Sequence, residues 1–119
     1  MNPAAIYRQN AVTTQTRSQI VVLLYEGAVR FMKQAHTEIH KQNYAAKSIC
    51  LGRAQEIIFE LNASLNMDVG ADIAKNLRSL YTFVWTRLNE VNIKNDTVLL
   101  ERLIRIFEDL AGAWRQISA

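Results

Sequence analysis

Apolar residues recur along most of this chain at spacings of three and four, and sustained two-residue alternation is absent. That is the period of helices burying one face. Thr16-Arg17-Ser18-Gln19 fits a capping box, in which the two end side chains satisfy orphan amides reciprocally. It predicts a first helix over about 17–41, with a core stripe of Ile20, Leu24, Gly27, Phe31, Ala35 and Ile39. Asn43 can cap a second over about 44–65, striped by Ala46, Cys50, Ala54, Ile57, Leu61 and Leu65. The stretch from Asn66 to Gly70 breaks the pattern and predicts a loop. A third helix over about 71–93 carries Ile73, Leu77, Leu80, Val84, Leu88 and Val91. Asp96 is the natural cap of a fourth, over about 97–117, with Leu99, Leu103, Phe107, Leu110, Trp114 and Ile117. Helices of matched length joined by short loops predict an all-α, antiparallel up-down four-helix bundle over 16–119. Residues 1–15 lack a helical pattern of useful length and are expected to form an N-terminal arm.

These helices carry more apolar surface than one seam needs. Val21, Tyr25 and Met32 lie beyond the stripe of the first; Leu51 and Ile58 do so on the second. Ala74, Tyr81 and Trp85 flank the third, and Leu100, Ile104 and Ala111 the fourth. Four helices share only one interior, so the surplus predicts an interaction surface. A groove between two helices that takes an amphipathic segment is the expected form. Tyr25, Tyr81 and Trp85 suit it, each joining a large apolar ring to a polar tip.

Composition narrows the class. The chain has 119 residues, enough for one domain with its own core. Half are hydrophobic, yet the mean hydropathy is only -0.06, so apolar and polar residues are mixed throughout. No apolar run reaches the roughly 18 residues of a membrane span, and no secretory signal is visible, so neither membrane insertion nor export is expected. The single cysteine, Cys50, fits a reducing cytoplasm. The net charge of +3 is scattered, with no basic block to hold nucleic acid. His36 and His40 sit one turn apart, but on the polar side and without a third ligand at sensible spacing. No Glu-x-x-His pair and no glycine-rich phosphate loop occurs. The pattern therefore predicts a binding protein rather than an enzyme, without metal or cofactor.

Several segments are similar to a known family. Tyr7 precedes a short polar stretch and Val12; then come Leu23-Leu24-Tyr25-Glu26-Gly27-Ala28 and Gly70-Ala71-Asp72-Ile73-Ala74-Lys75-Asn76-Leu77, followed by Leu80-Tyr81. Val91-Asn92-Ile93-Lys94-Asn95-Asp96 and Ala113-Trp114-Arg115-Gln116-Ile117 complete the series. In this order and spacing the chain resembles the FliS family of flagellar export chaperones. It departs from the family pattern at Ala71, where a second glycine is usual, and at Glu26, where aspartate is.

The resemblance implies a cytoplasmic chaperone that binds the disordered C-terminal segment of flagellin. It would block premature polymerisation and keep the client competent for flagellar type III secretion, with release by competition or by docking at the export apparatus. Ile6, Tyr7, Val21, Tyr25, Ala74, Tyr81, Trp85, Leu100 and Ile104 are the expected partner-binding residues. Tyr81 and Trp85 should face the client rather than the central seam, and Ile6 and Tyr7 should fold back into the client groove when it is empty. The alternative is a structural helical subunit whose apolar flanks pair with copies of itself; a weak homodimer would be its milder form.

Overall fold

A computed structural model describes residues 16–118. Among them are four long helices and one short: α1 (Arg17–His40), α2 (Tyr44–Ala63), α3 (Leu65–Asp68), α4 (Ala71–Lys94) and α5 (Thr97–Ser118). No strand occurs among the described residues. The arm expected at 1–15 lies outside them.

Local chemistry fixes where the helices start. Thr16 Oγ1 accepts from the Gln19 amide at 3.2 Å, and Gln19 Oε1 accepts from the Thr16 amide at 3.0 Å, closing the capping box. Asn43 Oδ1 accepts from the Ala46 amide at 3.3 Å, and Asp96 Oδ1 from that of Leu99 at 3.0 Å. The turns after α1 and α4 place Gln42 and Asn95 in the left-handed region, at φ 58° and 54°. Asparagine tolerates that region better than most residues. The segment expected as a loop instead contains the single turn α3, after which Val69 is extended. Gly70 is also extended, at φ -69°, so Ala71 can open α4 without needing glycine's freedom.

Helix α1 packs most extensively, on α2 and α5, while α4 lies more lightly against α2 and α5. The ring α1–α2–α4–α5 therefore puts α1 and α4 at opposite corners. Glu26 pairs with Arg115, Lys33 with Glu108 and His36 with Glu101, so numbers rise on α1 as they fall on α5. Ser48 with Asn92 and Gln55 with Asn89 give the same opposed register for α2 and α4. Gly27 lets α1 approach α2: a Cβ there would lie 3.3 Å from Ile57 Cδ1.

The buried seam is rotated from the expected one. On α1 it runs Val21, Tyr25, Ala28, Met32, Ala35, Ile39; on α2, Lys47, Leu51, Ala54, Ile58, Leu61. On α4 it takes Ala74, Tyr81, Val84, Leu88 and Val91, and on α5 Leu100, Leu103, Ile104, Phe107, Ala111 and Trp114. Leu24, Phe31, Cys50, Ile57, Leu77, Leu99 and Leu110, placed by the pattern at the centre, are half-buried against this core. Ile73 and Ile117 are exposed. The reason is size matching. Small residues on the seam (Ala28, Ala35, Ala54, Ala74, Ala111) leave room for the rings of Tyr25, Tyr81 and Phe107. Tyr25 stacks edge-on to Phe107 at 5.3 Å and 88°.

Candidate functional site

The seam between α2 and α4 is tied by side-chain hydrogen bonds at one end and holds a groove further along. Near the start of α2, Ser48 Oγ donates to Asn92 Oδ1 at 2.9 Å. Two turns on, Gln55 Nε2 donates to the Trp85 carbonyl at 3.1 Å and to Asn89 Oδ1 at 2.8 Å. Beyond these ties a groove of about 190 Å³ opens, lined by Ile58, Phe59 and Asn62 from α2 and Tyr81, Thr82 and Trp85 from α4. Phe59 is 71% exposed and Trp85 41%, while Ile58 and Tyr81 are buried beneath them. Asn62 Oδ1 is buried with no hydrogen-bond partner among the described residues. An unpaired buried acceptor costs free energy.

A larger groove, about 580 Å³, lies between α1 and α5 on the opposite side of the ring. Its walls are polar: Glu26, Arg30, Lys33, Gln34, Thr37, Glu108 and Arg115 line it with Val29 and Ala111. Two ion pairs span it, Glu26–Arg115 at 3.2 Å and Lys33–Glu108 at 3.1 Å. Nearby, His36 Nε2 lies 2.9 Å from Glu101 Oε1, so this histidine is half-buried and engaged rather than simply solvated. The groove is larger than that between α2 and α4 but is crossed by its own charges, so it offers an apolar segment little. No group of three potential metal ligands occurs among the described residues. Cys50 is half-buried, and its thiol is pushed above its ordinary value by burial first and by the Glu38 charge second.

Most of the expected partner-binding residues are not at the surface. Val21, Tyr25, Ala74, Leu100 and Ile104 are in the core. Tyr81 was expected to face outward and does not; it is buried and reaches the groove only from below. These residues occupy the rotated seam, where their apolar area is worth more inside than on a flank. Trp85 alone among the described ones is exposed on the groove, as its wheel position required. Ile6 and Tyr7 lie outside the described residues. Phe59 was missed. Its signal was the run Ile57-Ile58-Phe59, three large apolar residues in succession, which no single helix face can bury together.

The family described as flagellar protein FliS matches residues 1–119. The chain belongs to the FliS family. Relatives of this FliS-family chain include the flagellar secretion chaperone FliS of Bacillus subtilis, 34% identical over 115 residues, covering 97% of this chain and 85% of the relative. The flagellar secretion chaperone FliS of Vibrio cholerae is 35% identical, with 93% and 85% covered. That of Salmonella typhimurium is 31% identical, with 97% and 86% covered. Among the described residues, no helix is long and apolar enough to cross a membrane.

Proposed function

We propose that this chain is a cytoplasmic export chaperone that binds the disordered C-terminal segment of flagellin. It prevents premature polymerisation and keeps its client competent for flagellar type III secretion. Membership of the FliS family and the secretion-chaperone names of its relatives support the chaperone role. The observation that carries the docking site is the apolar groove between α2 and α4, with Phe59 and Trp85 exposed on its rim. The half-buried Leu77 and Leu80 and the exposed Ile73 extend apolar surface along another side of α4, so a long segment can wrap this helix.

A disordered segment loses conformational entropy when it orders on a surface. Coupled folding of this kind buries on the order of 1,000–3,000 Å² and loses about 2–5 kcal/mol to ordering. A single groove is too small to meet that requirement, so the client engages the groove as an anchor and the flanks of α4 as a track. Covering the client's apolar face removes the surface that would self-associate. The chain supplies binding and no chemistry.

The test is direct. Purified chain is titrated by calorimetry with the C-terminal segment of flagellin from the same source, and full-length flagellin is assayed for polymerisation with and without the chain. A one-to-one complex and suppressed polymerisation are expected. Absence of binding at micromolar concentrations would overturn the reading.

A further inference from the structure

We propose that the groove between α2 and α4 selects a client helix bearing a carboxylate about one turn beyond its apolar anchors, and that Arg78 holds this carboxylate. The inference rests on the flagellin reading above and assigns the site an electrostatic specificity that reading does not contain.

Arg78 precedes Tyr81, Thr82 and Trp85 by three, four and seven positions. Those are the spacings of one helix face, so Arg78 lies on the groove side of α4, one turn past its lining residues. It is exposed and makes no ion pair among the described residues. The cations at the other end of this helix differ: Arg87 and Lys94 both pair with Glu90, at 3.2 and 3.1 Å. Lys75, one further turn toward the start of α4, is likewise exposed and unpaired among the described residues. The start of α4 has no side-chain cap, so the positive end of its backbone dipole adds to the same region, with Asp72 in the first turn opposing it.

Nothing within the groove answers this charge. Its six lining residues include no carboxylate. On α2, Glu56 pairs with Arg53 at 3.3 Å, and Glu60 falls on the outward side by its spacing from Ile58 and Phe59. The opposite end of the seam is tied by Gln55, and α3 packs on α4 beyond Asn62, so an occupant seated on Phe59 and Trp85 extends over the exposed face of α4 that carries Thr82 and Arg78. The complement to this surface is a segment with apolar residues for the rim and a negative charge beside Arg78. Arginine suits the task, since its planar fork can meet both carboxylate oxygens at once.

The experiment uses the full chain and the flagellin C-terminal segment, with affinity read by calorimetry at low and at high salt. Arg78→Glu is expected to weaken binding about tenfold or more at low salt, Arg78→Gln less, and the deficit of both should shrink as salt rises. Arg102→Glu, exposed on α5, is the control and should bind as wild type. Each Asp or Glu of the segment is then changed to Lys in turn; one of these variants should regain affinity for Arg78→Glu while losing it for wild type. Wild-type binding with no effect of Arg78→Glu, or with no rescuing client position, overturns the inference and leaves the flagellin reading standing. Failure of the wild-type chain to bind removes both. Helical circular dichroism of Arg78→Glu equal to wild type shows that a loss is not unfolding.

Discussion

Tyr25 of α1 and Tyr81 of α4 join their hydroxyls at the centre of the bundle, across opposite corners of the helix ring. Their rings are 6.2 Å apart, and both pack on Phe107. Trp114 lies 6.4 Å from Tyr25. One polar contact thus sits inside an aromatic cluster drawn from three helices.

That contact fixes which faces of α1 and α4 look inward. Tyr25→Phe or Tyr81→Phe is expected to cost about 1 kcal/mol, a typical net value for one hydrogen bond. The double variant should cost less than the sum of the singles, because the two hydroxyls depend on each other. Urea unfolding of the four proteins checks this; strict additivity would mean that the hydroxyls do not couple.

The same pair explains how far pattern alone could go. The four long helices, their capping residues and the breaks at 41–43 and 95–96 follow from spacing and side-chain chemistry. The rotation of each helix does not. On α1, Leu24 and Phe31 compete with Tyr25 and Met32 for the centre, and a hydropathy wheel favours the residues without polar atoms. It cannot register that a hydroxyl on α1 will find another 56 positions away. Lys47 misleads for the same reason. Its buried amino group looks impossible in a seam until its partners at the end of α4 and in the turn after it are placed. For the groove, Trp85 was legible from its offset, whereas Phe59 needed knowledge of which neighbour in Ile57-Ile58-Phe59 turns outward.

Lys47 offers its own test. Nζ donates to the Asn92 carbonyl at 2.8 Å and to Asn95 Oδ1 at 2.7 Å, and lies 5.2 Å from the Tyr44 ring centroid. It thereby holds the left-handed turn that ends α4 against the start of α2. Lys47→Met keeps the apolar stem but strips donors from two acceptors, and a loss of about 1–3 kcal/mol is expected in urea unfolding. Lys94→Met, at the exposed end of α4, should leave the midpoint unchanged. Equal behaviour of the two variants would remove the capping role.

Cys50 should behave as a sluggish thiol. Its Sγ is 3.8 Å from Gln34 Oε1, and burial followed by the Glu38 charge raises its pKa. A folded-state pKa above the unfolded one favours the protonated thiol. Its contribution to stability is complete below the unfolded pKa and is lost as pH rises through the folded value. Alkylation by iodoacetamide, followed against pH, should show a higher midpoint for the folded chain than for the chain in urea. Glu38→Gln should lower the folded midpoint. Coincident midpoints for folded and unfolded chain would contradict the assignment.

Tyr81 and Trp85 share the groove but are expected to fail in opposite ways. Tyr81 is buried, touches Tyr25 and Phe107, and only floors the groove, so Tyr81→Ala opens a cavity in the aromatic cluster. Removing a large buried ring costs about 3–5 kcal/mol, enough to threaten a domain of this size. Trp85 is 41% exposed, with its backbone carbonyl held by Gln55 whatever the side chain, so Trp85→Ala should leave helix content and the unfolding midpoint close to wild type. A rim aromatic at the centre of a docking site loses about 2 kcal/mol or more on truncation, so the flagellin segment should bind Trp85→Ala at least roughly tenfold more weakly. Phe59→Ala, across the same groove, should behave likewise. Circular dichroism and calorimetry on the three variants separate the two effects. A Trp85→Ala chain that binds normally would move the client anchor away from this groove; one that unfolds would make the indole a structural element instead.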